Sequence, residues 1–230
     1  MCGRFVQSSS LLHYAEVLGI EAAGLPEHAP RYNVAPTDAV VIARDEGAGA
    51  GLAEVRWGLV PHWSKGPDRR YSMINARAES VHERAAYRDP FRHRRCIVPA
   101  DGFYEWRAEC NGKQPYYIHR ADGEPLLFAG LWDRWQGEGR TIESCTIVVG
   151  EANATVHPIH DRMPVALTPD GARQWLDPGK HETQRLRDLL APAPAEAFAY
   201  HPVSKRVNRP GDDSPELTAP VETGCPPPGG

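Results

Sequence analysis

The chain lacks several features that would have narrowed its class at once. No apolar run approaches the ~20 residues needed to cross a membrane, so no membrane partner is expected. No basic segment leads into an apolar stretch near residue 1, so no secretory leader is expected either. Cysteine is scarce: Cys2, Cys96, Cys110, Cys145 and Cys225 form an odd set without paired spacing. Such a set points to free thiols in a reducing compartment, and so to a cytoplasmic protein. There is no Cys-x-x-Cys, and no third ligand stands out beside His157 and His160, so neither a metal nor a cofactor is expected. Excess positive charge is missing too. The net charge is −4, whereas a domain that binds nucleic acid by charge alone has a pI above ~9.

What is present reads as an ordinary soluble domain. The 230 residues, 41% hydrophobic and 24% charged, suit one compact unit with a substantial core. Twenty-one glycines and 22 prolines make it rich in loops. Between Pro61 and Arg95, nine Lys and Arg stand against four Asp and Glu, so this stretch is basic on an acidic protein. It reads as a solvated face of Arg–Glu pairs or as a seat for a phosphate backbone.

Local patterns give a coarse order of elements. Ser8-Ser9-Ser10 precedes an amphipathic segment, Leu11 to Leu18, that ends on Gly19, which predicts a capped helix. Strands are predicted over 52–59, 94–99, 102–107, 115–120, 126–135, 141–150 and 197–203, and short helices over 78–87, 169–176 and 180–190. Strands fill the middle without regular strand–helix alternation. The fold class is therefore α+β with mostly antiparallel sheets, not a doubly wound parallel sheet. Residues 1–222 form one domain, and the Pro/Gly-rich stretch 223–230 is expected to be a disordered tail.

The most unusual feature is the start, Met1-Cys2-Gly3-Arg4-Phe5. Loss of Met1 would leave Cys2 with a free α-amine and a thiol on adjacent carbons. A 1,2-aminothiol condenses with an aldehyde to an imine, and the thiolate then closes a five-membered thiazolidine. The ordinary pKa of an α-amine, ≈ 7.7–8.0, leaves about a tenth of it neutral at pH 7. The plain alternative is an incidental second-position cysteine with Met1 retained.

Four further segments carry candidate chemistry. In Asn75-Ala76-Arg77-Ala78-Glu79, extended backbone puts Asn75, Arg77 and Glu79 on one face, either as a backbone and phosphate clamp or as a polar face with an Arg–Glu pair. In Gly102-Phe103-Tyr104-Glu105-Trp106, burial would raise the pKa of Glu105 towards acid/base work. Strand alternation puts Glu105 and Trp106 on opposite faces. The proline-bracketed loop His157 to Pro164 offers His160 for proton transfer and Arg162 for phosphate. Trp57-Gly58-Leu59-Val60-Pro61-His62-Trp63 adds tryptophans for base stacking or for the core.

Taken together and in order, these segments resemble the SOS response-associated peptidase (SRAP) family. The likeness also covers Tyr32-Asn33-Val34-Ala35-Pro36-Thr37, Pro202-Val203-Ser204 and Val207-Asn208, and runs from residue 2 to about residue 221. The resemblance implies a barrel-like core with flanking helices. It implies a protein that crosslinks to abasic sites in single-stranded DNA through a thiazolidine, after a self-processing step removes Met1. By that likeness Cys2 is the nucleophile, Asn75 positions it, Glu105 is the acid/base residue for the imine, and His160 serves sugar-ring opening and adduct reversal. Arg77 and Arg162 correspond to phosphate-binding residues, and Arg4, Asn33, Pro36 and Trp106 complete the DNA-facing set. A monomer is expected, associated with the nucleoid when bound to DNA. Two other readings stay open at this point: an N-terminal-nucleophile cysteine peptidase or amidohydrolase acting on external substrates, and a non-covalent reader of modified DNA.

Overall fold

In the computed structural model, residues 2–21, 28–47, 49–68, 73–110, 112–180, 182–209 and 211–223 are described. The N-terminal half contains β1 (Phe5–Gln7), α1 (Leu11–Leu18), β2 (Arg31–Val34), β3 (Ala39–Asp45), β4 (Ala50–Trp57), β5 (Asn75–Arg77), α2 (Arg88–His93), β6 (Arg95–Ala100) and β7 (Gly102–Glu109). There follow β8 (Gly112–Arg120), β9 (Leu126–Gly137), β10 (Arg140–Glu151), β11 (Arg162–Pro164), β12 (Ala166–Leu167), α3 (Pro169–Leu176), α4 (Thr183–Asp188) and β13 (Phe198–Pro202).

Five of these strands close on themselves. They pair in the order β10, β4, β3, β6 and β9, and β9 pairs back onto β10. Only the β10–β4 contact of this ring is parallel. The short β5 also runs parallel to β10, while β11 and β12 attach to β10 and β9. A second, antiparallel sheet has the order β13, β8, β7, β1, β2. The expected α+β class with antiparallel sheets around a barrel-like core is therefore what is found.

Inward-facing Ile42, Val55, Trp57, Val98, Phe128 and Ile147 of the barrel meet Phe5, Phe103 and Ile118 of the second sheet in one apolar cluster. The outer barrel face carries another layer, in which Ile97, Leu127 and Leu131 pack against Phe91 of α2 and Trp175 of α3. The Trp175 indole donates to the carbonyls of Cys96 and Gly130, which pins α3 to the strands.

The first strand is fixed by more than apolar burial. Phe5 pairs with Val34 on one side and Phe103 on the other. The buried Gln7 side chain donates to the carbonyls of Val41 and Pro99 and accepts from the Val41 amide, tying β1 to β3 and β6. Asp101 accepts from the amides and hydroxyls of Ser8 and Ser9 and from the Tyr14 hydroxyl. At Gly102, opposite Val6, an added Cβ would lie 2.6 Å from the Ile118 carbonyl and 2.5 Å from the Tyr117 ring, so no side chain fits.

Three expectations need correction. Residues 78–87 form successive turns, not a helix, and α2 begins only at Arg88. Ala78 donates to the Val149 carbonyl and Tyr87 to that of Asn75, so tertiary bonds hold this segment against its helical tendency. The basic stretch is not one solvated face: Arg95 is buried and donates to the carbonyls of Trp175, Phe91, Arg92, Asp177 and Lys180. Its desolvation lowers the guanidinium pKa to about 10. Arg69 and Arg70 lie outside the described residues. Cys2, Cys96 and Cys145 are free thiols, but Cys110, exposed at the β7–β8 hairpin tip, is disulfide-bonded. Beyond Thr223, the expected tail lies outside the described residues. No helix among the described residues is long and apolar enough to cross a membrane.

Candidate functional site

Cys2 lies three residues ahead of the inner strand β1 and is fully buried in the barrel cluster. The edge-to-face contact of Phe5 with Trp57, centroids 4.9 Å apart, holds the strand from below. The Trp57 indole donates to the Ile74 carbonyl at 3.0 Å, which sets the entry of the chain into β5. Asn75, the first residue of β5, then donates its side-chain amide to the Cys2 carbonyl at 2.8 Å. The Asn75 Oδ1 is buried and has no hydrogen-bond partner among the described residues.

Glu105 comes from β7, which pairs directly with β1. Its residue is only 3% exposed. Burial pushes its carboxyl above the ordinary glutamate range, although the positive charges of the N-terminal amine and of His160 pull it back. Burial likewise pushes the Cys2 thiol up, and the Glu105 carboxylate adds to that shift. Cys2, Glu105 and His160 thus share one electrostatic neighbourhood.

The ring of His160 is oriented by its own loop. Its Nδ1 lies 3.0 Å from the Arg162 amide and 2.8 Å from the Asp161 carboxylate. The backbone amide is a fixed donor and Asp161 is three-quarters exposed, so the amide decides the tautomer. A neutral His160 therefore carries its proton on Nε2. Nearby, β11 brings Arg162 alongside β10, and its guanidinium pairs with Glu79, just past β5. Arg77 is exposed at the end of β5.

The remaining expected residues are placed differently. Asn33 is buried; it accepts from Arg4 at 2.8 Å and donates to the carbonyls of Val207 and Asp212. Arg4 also donates to the Val207 carbonyl, so both side chains bind the 207–212 segment across the sheet. Trp106 faces away from Glu105, packs with the cluster of Tyr104, Tyr117, Val203 and Val207, and donates to Asn208 at 2.8 Å. Pro36 is half-buried in the β2–β3 turn, where the neighbouring Thr37 amide bonds the Trp57 carbonyl. Two supports were not found in the sequence. Gln7 and Tyr87 carry no motif, and only the fold shows them bracing β1 and Asn75. Among the described residues, no group of three or more His, Cys, Asp or Glu is arranged to hold a metal.

Comparison with known proteins gives the family of the chain. The abasic site processing protein YoqW of Bacillus subtilis is 40% identical over 221 residues, covering 94% of this chain and 98% of that one. The abasic site processing protein YedK of Escherichia coli is 35% identical over 228 residues, covering 96% and 100%. A crystal structure of a Bacteroides thetaiotaomicron protein superposes with a TM-score of 0.84 at 24% identity, over 96% of this chain and 100% of that one, which shows a shared fold. The family model for SOS response associated peptidase (SRAP) matches residues 1–210, and the chain belongs to that family.

Proposed function

We propose that this protein captures abasic sites in single-stranded DNA by closing a thiazolidine on Cys2 after Met1 is removed. The observation that carries this reading is the meeting of Cys2, Asn75, Glu105 and His160 at the start of an inner strand. The abasic processing names of the relatives support it from a separate direction.

An abasic sugar is mostly a closed hemiacetal and reacts only once it opens to the aldehyde. His160, with its proton on Nε2, serves this opening by proton transfer. The Cys2 amine then adds to the carbonyl carbon, and loss of water leaves the imine. The thiol sulfur adds to the imine carbon, its proton leaves to a base, and the nitrogen becomes protonated, which closes the ring. A buried thiol of raised pKa needs a base within reach for that step, and the Glu105 carboxylate is the negative charge that raises Cys2 further. The buried, unpartnered Asn75 Oδ1 suits an amine donor at Cys2. Arg77 and Arg162 take the flanking phosphates, with Pro36 and Trp106 at the DNA rim. The protein acts as a cytoplasmic monomer, and Met1 removal is its own peptidase reaction.

Intact-mass measurement tests this directly. The purified protein is expected to lack Met1 and to gain the mass of an abasic oligonucleotide less one water. Cys2→Ala and Cys2→Ser are expected to gain none, because neither offers a thiolate. Turnover of external amides by Cys2 without adduct formation would support an N-terminal-nucleophile hydrolase instead. Reversible binding of abasic DNA by both wild type and Cys2→Ala, with no mass gain, would support a non-covalent reader.

A further inference from the structure

Arg162 already holds an anion within the protein. Its guanidinium pairs with the carboxylate of Glu79. The two residues arrive from opposite sides of β10. Glu79 lies just past β5, whose pairing with β10 runs up to the Ala78–Val149 bond at 2.9 Å. Arg162 lies on β11 and pairs with Glu151 at the end of β10. The pair therefore bridges the end of that strand, at the rim where His160 and Arg77 also lie.

Glu79 is fully ionised at neutral pH. Burial pushes its carboxyl up, but its own backbone amide, the bond to Arg162 and the charge of Arg77 together hold it below the ordinary glutamate range. Its side chain is 48% exposed and that of Arg162 is 24% exposed. An ion pair at this depth is weak enough to be exchanged for another anion. The contact runs from Nη1 of Arg162 to one Glu79 oxygen, and a phosphate oxygen seated on that nitrogen must displace the carboxylate.

We infer that Glu79 is an internal stand-in for a DNA phosphate, occupying Arg162 until the strand displaces it and so lowering affinity for undamaged DNA. This rests on the reading of Arg162 as a phosphate clamp. The exchange replaces one Arg–anion contact by another, so an intact strand gains little from reaching Arg162. An abasic strand is retained by a covalent bond and does not depend on that gain. The carboxylate thus favours damaged over intact single strands without touching the lesion.

The test is equilibrium binding of a fluorescent single-stranded oligonucleotide without abasic sites to the full-length protein at low salt. Glu79→Gln keeps the size of the side chain and removes its charge. It is expected to bind about two- to five-fold more tightly than wild type. Its logarithmic salt slope is expected to be steeper by roughly 0.7, one added phosphate contact on a single strand. The gain must vanish when Arg162→Ala is combined with it. Unchanged or weaker binding by Glu79→Gln, or a gain that persists without Arg162, overturns the proposal. If Arg162→Ala alone leaves the rate of adduct formation on an abasic strand unchanged, the clamp reading itself fails, and this outcome is distinguishable because it does not involve Glu79. Matching melting temperatures of the variants exclude misfolding as the source of any difference.

Discussion

Asn75 and Cys2 meet across 73 positions of sequence through a single 2.8 Å bond from side-chain amide to backbone carbonyl. The backbone carbonyl of the same asparagine accepts from Tyr87 at 3.2 Å. One residue therefore links the N-terminal segment, β5 and the turns that follow.

Replacing Asn75 tests whether this link serves chemistry or only stability. Asn75→Ala leaves the buried Cys2 carbonyl without its donor, at a cost of about 1–3 kcal/mol. For a domain of this size, each kcal/mol lowers the melting temperature by roughly 2–4 °C. We expect a fall of that order, together with at least a tenfold slower single-turnover adduct formation on abasic DNA. A lower melting temperature with an unchanged rate would reduce Asn75 to a structural strut.

Glu105 gives a pH signature with a definite sign. Its folded pKa is raised above the unfolded value, chiefly by burial. The folded protein then holds this proton more tightly than the unfolded chain, so stability is lost as pH rises through the folded pKa. Glu105→Gln removes the buried charge. The variant is expected to melt above wild type at pH 7 and to lose that advantage below the unfolded glutamate pKa. Adduct formation by wild type is expected to slow as pH falls and the carboxylate is protonated, and Glu105→Gln is expected to be slow at all pH values. Melting curves and rates across pH 4–8 check both halves. A Glu105→Gln protein less stable at pH 7 than at pH 4, relative to wild type, would reverse the sign.

Asp101 concentrates the local support of the N-terminal segment. Its carboxylate accepts from Ser8, Ser9 and Tyr14, with the Tyr14 bond at 2.7 Å. Asp101→Ala strands several of these donors at once and is expected to destabilise the fold by roughly 2–4 kcal/mol. Denaturant titration measures it. Asp101→Asn, which keeps one acceptor oxygen and no charge, is expected to lose about half as much.

The parts legible in sequence are those set by short-range physics. The Leu11–Leu18 helix carries its own signals: Ser10 accepts from the His13 amide, and Gly19 takes the left-handed conformation at φ 67°. Thr168 and Pro169 likewise mark the start of α3. The segment Ala39–Asp45 was not legible as a strand, because its buried middle, Val40 to Ala43, reads as a short apolar run without alternation. Residues 78–87 misled because the bonds that hold them as turns come from Val149 and Asn75. In the site, Glu105 was readable from the aromatics beside it. The engagement of Arg4 and Asn33 with Val207 was not, since neither residue signals a partner about two hundred or 174 positions away.

The placement of β1 between β7 and β2 reaches beyond catalysis to how the polypeptide can be handled. This strand cannot be peeled off without opening two ladders. Cys2, three residues ahead of β1, is thereby anchored to that sheet. Because Cys2 is fully buried, a tag fused ahead of it is expected to disturb this anchoring, so purification handles belong at the opposite end of the polypeptide.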